Sequence, residues 1–137
     1  MAKSQKLIIH TDGGARGNPG PAGIGVVIKN EESAVLEKVS RFIGHATNNQ
    51  AEYKAIIAAL NCARELGAAE IDFYLDSELA VKQLQGRYKV KNKELQPLFV
   101  QVHNQSLNFK KINWQHVRRE LNKEADALAN EAMDRGN

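Results

Sequence analysis

The first third of the chain contains short apolar runs rich in β-branched residues and one segment of alternating apolar and polar residues, patterns that are typical of β-strands. The apolar runs predict strands at residues 6–11 and 25–29, and the alternation predicts a third strand at 34–43, where Val35 and Val39 lie among polar positions. Residues 12–23 are rich in glycine and proline and predict a loop. Three strands with short connections predict an antiparallel arrangement.

Apolar residues recur at helical spacing in the rest of the chain. The longest such pattern covers residues 48–66 and ends at Gly67. Ser77 and Asn122 are the expected N-caps of two further helices. The later elements are predicted as helices at 77–84, 93–107 and 122–134 and strands at 70–75 and 110–117. Strands that alternate with helices predict an α/β fold with a mixed sheet covered by helices.

Length and composition are those of a small globular protein. The 137 residues fit one domain spanning 1–137, and 42% are apolar and 26% charged. No apolar run is long enough to cross a membrane, and the polar start is unlike a signal peptide. The single cysteine, Cys62, cannot form an internal disulfide. A reducing, cytoplasmic compartment is therefore expected.

The net charge of +3 does not by itself indicate a nucleic-acid partner, but the basic residues are clustered. Each cluster contains an aromatic residue, Tyr88 in the first and Trp114 in the second. The clusters comprise Arg87, Lys89, Lys91 and Lys93, and Lys110, Lys111, Arg118 and Arg119. Each cluster is compatible with either a solvated surface or a phosphate-binding surface, and the aromatic residues favour phosphate binding.

Four acidic residues occupy unusual positions. Asp12 and Asp76 follow predicted strands, whereas Glu52 and Asp126 lie in the first turns of predicted helices, on or beside their apolar faces. Local explanations exist for each: an Asp-Gly turn at Asp12, capping roles at Asp76 and at Glu52 with Asn49 as N-cap, and a favourable helix dipole at Asp126.

Taken together, the same four positions can converge on one edge of the sheet. Clustered carboxylates repel one another unless cations neutralise them. Oxygen ligands favour Mg²⁺ or Mn²⁺ over zinc. Two such ions about 4 Å apart can bracket a phosphodiester.

Four motifs occur in order along nearly the whole chain. They are Thr-Asp-Gly-Gly at 11–14 with Gly-Asn-Pro-Gly-Pro-Ala-Gly at 17–23, Thr-Asn-Asn-Gln-Ala-Glu at 47–52, Leu-Asp-Ser at 75–77, and Asn-Lys-Glu-Ala-Asp-Ala-Leu-Ala at 122–129. In combination they resemble the motifs of ribonuclease H type 1. The resemblance implies a ribonuclease H-like fold, with a five-stranded mixed sheet, its first three strands antiparallel, and helices on both faces.

The resemblance also implies a function. An enzyme of this family hydrolyses the RNA strand of RNA–DNA hybrids and leaves 5′-phosphate and 3′-hydroxyl ends. The implied catalytic metal ligands, for two Mg²⁺ ions or Mn²⁺ in their place, are Asp12, Glu52, Asp76 and Asp126. Substrate contacts, including RNA 2′-hydroxyls, are implied for Asn18, Asn48, Asn49 and Gln50, and Thr47 matches a residue that grips a DNA phosphate.

Two departures from the family pattern stand out. The family's flexible loop histidine is missing before the last helix, and Arg118 or Arg119 is a candidate to act in its place. The long basic protrusion is reduced to a short segment around Tyr88, which is a candidate to stack on the DNA strand. We therefore expect weaker, yet still salt-dependent, hybrid binding.

Two alternatives compete with this interpretation. A non-catalytic hybrid- or duplex-RNA-binding module would use the same fold, although four acids facing phosphate argue against it. Another nuclease of the same superfamily, such as a junction-resolving enzyme, is the second, and the Asn-Asn-Gln run before Glu52 favours RNA discrimination instead. A start at Met1 and the lack of linkers predict a stand-alone monomer.

Overall fold

The computed structural model describes residues 5–137, which form a single mixed sheet with helices packed against it. The strands are β1 Gln5–Ala15, β2 Gly20–Lys29, β3 Val35–Ala46, β4 Ala68–Leu75 and β5 Lys111–His116. The helices are α1 Asn48–Glu65, α2 Glu78–Leu84, α3 Gln96–Ser106 and α4 Lys123–Arg135, and Arg119–Leu121 forms a short 3-10 turn.

The sheet has the predicted topology. Its order is β3-β2-β1-β4-β5; β1 pairs antiparallel with β2 and β2 with β3, whereas β4 pairs parallel with both β1 and β5. The five-stranded mixed sheet with its first three strands antiparallel, which the resemblance implies, is thus confirmed. The parallel pair β1–β4 places the carboxyl ends of two central strands side by side.

Helices cover both faces of this sheet. Alternate residues of β1 and β2, including Leu7, Ile9 and Ile24, are fully buried in the main core together with Ile56 and Leu60 of α1. The opposite face of β2 lies against α4 so closely that a methyl group on Gly25 would fall 2.1 Å from the carbonyl oxygen of Ala125. No helix within residues 5–137 is long and apolar enough to span a membrane.

The predicted loop at residues 12–23 is wrong for most of its length. β1 continues through Gly13 and Gly14 to Ala15, and β2 already begins at Gly20, so Asp12 lies within a strand and pairs with Gly25. Gly13 and Gly23 allow close contact between the sheet and the helices, whereas Gly17, with a positive φ, serves the short turn between the strands. The glycine- and proline-rich composition is typical of a loop, and it therefore did not indicate the end of β1 or the start of β2.

Other boundaries differ by a few residues. β3 runs on to Ala46 instead of ending at residue 43, and α3 begins at Gln96 instead of residue 93. Pro97 lies in the first turn of α3, where its missing N–H has no helical partner to lose. The remaining elements lie within about two residues of the predicted ranges, the usual uncertainty of helix and strand ends.

Candidate active site

The site begins where α1 meets β1. A Cβ atom on Gly13 would lie 2.3 Å from the carbonyl of Ala51 and 2.6 Å from the backbone nitrogen of Glu52, so only glycine allows this approach. The N–H of Gly13 donates to Oε1 of Glu52 at 3.3 Å. Glu52 is consequently held next to Asp12, the residue before Gly13.

The cap of α1 differs from the prediction. Thr47, not Asn49, is the N-cap: its hydroxyl accepts from the N–H of Gln50, and Oε1 of Gln50 accepts from the N–H of Thr47 at 2.9 Å. Glu52 is therefore no part of a capping box, and its local explanation is wrong. Its side chain is left to point into the site, where only 8% of the residue is exposed.

The other two acids come from β4 and α4. Asp76 directly follows β4, and Ser77 is the N-cap of α2, so the carboxylate of Asp76 is not needed for capping. Asp126 lies in the first turn of α4. Asn122 connects the two elements, because its side chain donates to Oδ2 of Asp76 and its carbonyl accepts from the N–H of Asp126.

These carboxylates converge. Oxygen atoms of Asp12, Glu52 and Asp76 all lie within 4.8 Å of one another. Asp126 lies beside them and lines a cavity of about 380 Å³ that also contains Asp12 and Asp76. The rest of the lining is Gly13, Gly14, Ala15, Arg16, Asn48, Arg119, Asn130 and Met133.

Electrostatics show how crowded this cluster is. Burial, reinforced by the neighbouring Glu52, Asp126 and Asp76 carboxyl groups, raises the pKa of Asp12 to about 9. Burial and the charge of Asp76 raise the pKa of Glu52 to about 7, although hydrogen bonds from Asp12 and Gly13 oppose the rise. At neutral pH, the carboxyl group of Asp12 therefore keeps its proton unless a positive charge lies beside it.

The donor set fits divalent cations. Oε2 of Glu52 is buried and has no hydrogen-bond partner among the described residues, a costly arrangement for a carboxylate unless a ligand completes it. Carboxylate oxygens are the ligands that Mg²⁺ and Mn²⁺ prefer. The observed group of three acids, with Asp126 at its edge, is thus suited to binding such ions.

The predicted substrate residues form a strip beside the cluster. Oδ1 of Asn18 accepts from the N–H of Asn48 at 3.0 Å, and Oδ1 of Asn48 accepts from the N–H of Ala15 at 2.8 Å. Both side chains and Asn49 are exposed, whereas Thr47 and Gln50 are half-buried in the cap of α1. The oxygen atom of Asn18 therefore fixes the β1–β2 loop to α1, and that of Asn48 fixes α1 to the end of β1.

The basic candidates differ in their positions. Arg119 lines the cavity, with Nη2 4.0 Å from Oδ1 of Asp126, whereas Nε of Arg118 is 3.9 Å from Glu120. Tyr88 lies between α2 and α3, half exposed, with Nζ of Lys82 5.1 Å from its ring centroid. The structure brings Arg119 to the acids and assigns Arg118 a different neighbour.

Sequence reasoning missed several residues in or beside the cavity. Asn122, which contacts Asp76, was expected only as a helix cap, yet its side chain makes no capping hydrogen bond. Asn130 donates to Oδ2 of Asp126 at 3.3 Å, and its position one helical turn after Asp126 could have identified it. Nothing in the local sequence of Arg16 or Met133 distinguishes them from ordinary surface and core residues.

Comparison with known proteins agrees with this geometry. A sequence model of the reverse transcriptase-like family matches residues 10–132. Ribonuclease H of Cyanothece sp. is 34% identical over 140 residues, which cover 88% of this chain and 85% of that protein. The bifunctional protein Rv2228c of Mycobacterium tuberculosis is 48% identical over 94% of this chain but only 36% of its own length, so the chain spans about a third of that relative.

Solved structures of related proteins also resemble this chain in fold and sequence. The N-terminal ribonuclease H domain of Rv2228c superposes with a TM-score of 0.94 at 47% identity, covering 97% of this chain and 96% of that one. LC11-RNase H1, isolated from compost by a metagenomic approach, was solved in complex with an RNA/DNA hybrid. It has a TM-score of 0.90 at 46% identity over 94% and 97% of the two chains. By motif order, sheet topology and sequence identity, the chain belongs to the type 1 ribonuclease H family.

Proposed function

We propose that this chain is an endoribonuclease that hydrolyses the RNA strand of RNA–DNA hybrids and leaves 5′-phosphate and 3′-hydroxyl ends. The observation that carries the proposal is the convergence of Asp12, Glu52 and Asp76, with carboxylate oxygens within 4.8 Å of one another. A relative of 46% identity was solved with an RNA/DNA hybrid bound, which supports the substrate class.

Asp12, Glu52, Asp76 and Asp126 are the proposed ligands of two divalent ions, Mg²⁺ or Mn²⁺. Bound there, such ions would lower the pKa of a water molecule, so that it can lose a proton and attack phosphorus, and would stabilise the departing 3′-oxygen. The protein's own contribution is to hold the acids at close range, since the backbone contact at Gly13 fixes Glu52 beside Asp12. No protein nucleophile is needed.

The strip of amides beside the acids supports RNA recognition. The proposed contacts to the substrate are made by Asn18, Asn48, Asn49 and Gln50, with the hydroxyl of Thr47 directed to a DNA phosphate. The exposed NH₂ groups of Asn18 and Asn48 can donate to a 2′-hydroxyl, the group that distinguishes RNA from DNA. Tyr88 is proposed to stack on the DNA strand.

Between the two arginines, the contacts favour Arg119 as the cation near the scissile phosphate. Its side chain is 82% exposed and only weakly held by Asp126 at 4.0 Å, so it can turn toward a phosphate oxygen. Arg118 remains a candidate for more distant backbone contacts. Arg119→Ala should lower kcat for hybrid cleavage about tenfold or more, whereas Arg118→Ala should act mainly on KM, as steady-state kinetics at fixed salt would report. Equal effects of both substitutions would argue against this division.

The proposal also covers domain organisation, oligomeric state and cellular compartment. Residues 1–137 are taken as one ribonuclease H-like domain, and the protein is expected to be monomeric and cytoplasmic. The half-buried thiol of Cys62 is compatible with a reducing compartment. Light scattering in solution tests the monomer, and fractionation of cells tests the compartment.

The decisive experiment uses an RNA–DNA hybrid with end-labelled RNA, incubated with Mg²⁺, Mn²⁺ or a chelator beside RNA and DNA duplexes of the same sequence. We expect the RNA of the hybrid to be cut only with a divalent ion, to products whose 3′ ends a polymerase can extend. Glu52→Gln should abolish cleavage. Asp72→Asn is the matched control, because it also replaces a carboxylate by the corresponding amide, but on β4 outside the cavity.

The outcomes separate the alternatives. Hybrid binding without cleavage under either metal would indicate a non-catalytic module. Cleavage of the DNA strand or of branched DNA would indicate another nuclease of the superfamily. Cleavage in the presence of chelator, or by Glu52→Gln, would refute the metal-dependent assignment.

A further inference from the structure

Asn122 occupies the N-cap position of α4 but does not cap it. An Asn at this position ordinarily accepts a hydrogen bond from a backbone N–H of the first turn, and the side chain of Asn122 makes no such bond. Instead it points into the protein, where only 1% of the residue is exposed. A helix end thus gives up its usual side-chain cap, which requires another explanation.

The contacts of Asn122 reach three of the four acid-bearing segments. Nδ2 donates to the carbonyl oxygen of Thr11 at 2.8 Å, directly before Asp12, and to Oδ2 of Asp76 at 3.3 Å. The carbonyl oxygen of Asn122 accepts from the N–H of Asp126 at 3.1 Å. One residue therefore joins the middle of β1, the end of β4 and the start of α4.

The chemistry of the contacts requires an amide. Both partners of Nδ2 are acceptors, so the opposite orientation of the amide would bring two oxygen atoms against Oδ1. Oδ1 itself is buried and has no partner among residues 5–137, which is consistent with a side chain retained for its two donors. An aspartate here would lose both hydrogen bonds and add a negative charge to the cluster.

The donor is also neutral, and this matters for a site that binds cations. A lysine or arginine could orient Asp76 equally well, but its positive charge would compete with a metal ion for the carboxylate. An amide orients the oxygen atom and leaves the full negative charge available. Hydrogen bonds of this kind to metal-binding carboxylates commonly affect metal affinity strongly.

We infer that Asn122 is a positioning residue: it fixes the orientation of Asp76 and the spacing of Asp76 from Asp12 and Asp126. The inference rests on the proposed function, because it treats these acids as metal ligands. It predicts a defect in metal affinity that a purely structural asparagine would not produce.

The test compares Asn122→Ala and Asn122→Ser with the wild type. Serine is a good N-cap and should preserve α4, but its short side chain cannot reach both Thr11 and Asp76. Asn113→Ala is the matched control, since Nδ2 of Asn113 donates to Oδ1 of Asp72 at 2.9 Å, another Asn–Asp pair on the same sheet outside the cavity. Circular dichroism checks that each variant is folded.

Two readouts are required. The first is the Mg²⁺ concentration that half-saturates the protein without substrate, fitted from the logarithmic dependence of Tm on Mg²⁺ concentration, and the second is the Mg²⁺ concentration that gives half of the maximal rate of hybrid cleavage. We expect both Asn122 variants to need about 10–100 times more Mg²⁺ in each assay, with kcat partly restored at saturating metal. Asn113→Ala should lower Tm and leave both Mg²⁺ midpoints unchanged.

Each result has a separate meaning. Mg²⁺ midpoints within twofold of the wild type for a folded Asn122 variant would overturn the inference and leave the proposed function intact. If Asn122→Ala does not fold, Asn122→Ser decides. A wild-type protein without any Mg²⁺-dependent shift in Tm and without cleavage would instead refute the proposed function.

Discussion

Replacing Asp12 by asparagine should stabilise the metal-free protein while abolishing cleavage. The ordinary pKa of 3.8 and the folded value of about 9 mean that at pH 7 the native state holds a proton that the unfolded chain has released. Each unit of pKa is worth about 1.4 kcal/mol, so the interval from 3.8 to 7 corresponds to about 4 kcal/mol as an upper limit. Because Asp12 is only partly buried, water screens part of this, and we expect a gain of about 1–3 kcal/mol.

The pH dependence gives a second, independent signature. A raised carboxyl pKa contributes stability that is complete below the unfolded pKa of 3.8 and is lost as the pH rises through the folded value of about 9. The wild-type protein in chelator should therefore become less stable between about pH 4 and pH 9. Asp12→Asn should show a flatter profile, because the neutral amide does not titrate.

The assay is urea unfolding in chelator at several pH values, with Asp72→Asn as control. Burial alone would raise the pKa of Asp72, but hydrogen bonds from Asn113 and Lys6 and the charge of Lys6 outweigh it, so that the pKa is lowered overall. Its stabilising contribution is present above the unfolded pKa and disappears as the pH falls, so Asp72→Asn should destabilise the protein at pH 7. An Asp12→Asn variant that is less stable than the wild type at pH 7, or that cleaves hybrid normally, would refute the reasoning.

Three further predictions follow from the described contacts. Gly25→Ala should lower the free energy of unfolding, measured with urea, by about 3 kcal/mol or more, because its methyl group would meet the carbonyl of Ala125 at 2.1 Å. A decrease below about 1 kcal/mol would contradict the close contact. Thr47→Ala should lower the free energy of unfolding by about 1 kcal/mol through loss of the α1 cap, whereas Thr47→Ser should be nearly neutral in the same assay. Adding Mg²⁺ at about 100 times its dissociation constant should stabilise the wild type by about 2.7 kcal/mol per independent site, and Asp12→Asn should gain clearly less in a thermal melt.

The sequence was informative wherever a pattern had a single physical cause. Apolar periodicity located α1 and α4, and the four motifs in order gave the fold and the acids. It misled where one composition serves two purposes: the glycines at residues 13 and 23 are compatible with a turn, yet they lie in paired strands against helices. Helix contact depends on chain segments distant in sequence, which a local pattern does not record.

The same limit applies to the caps and to Asn122. Thr47, Asn48 and Asn49 are all competent N-caps, and only the three-dimensional path of the chain into α1 selects Thr47. Asn122 was correctly placed at the start of α4, but its partners Thr11 and Asp76 lie 111 and 46 residues away. Contacts at such separations cannot be derived from one sequence by spacing alone.

The two glycine contacts have a consequence for how this protein can change over evolutionary time. Gly13 meets the carbonyl of the residue before Glu52, and Gly25 meets the carbonyl of the residue before Asp126. The distance between each helix and the sheet is thus defined by main chain touching main chain, without an intervening side chain. Apolar residues elsewhere in the interior can be exchanged for others of similar volume with little effect on the acids, whereas a single added methyl group at either glycine would push the whole helix that carries Glu52 or Asp126 outward.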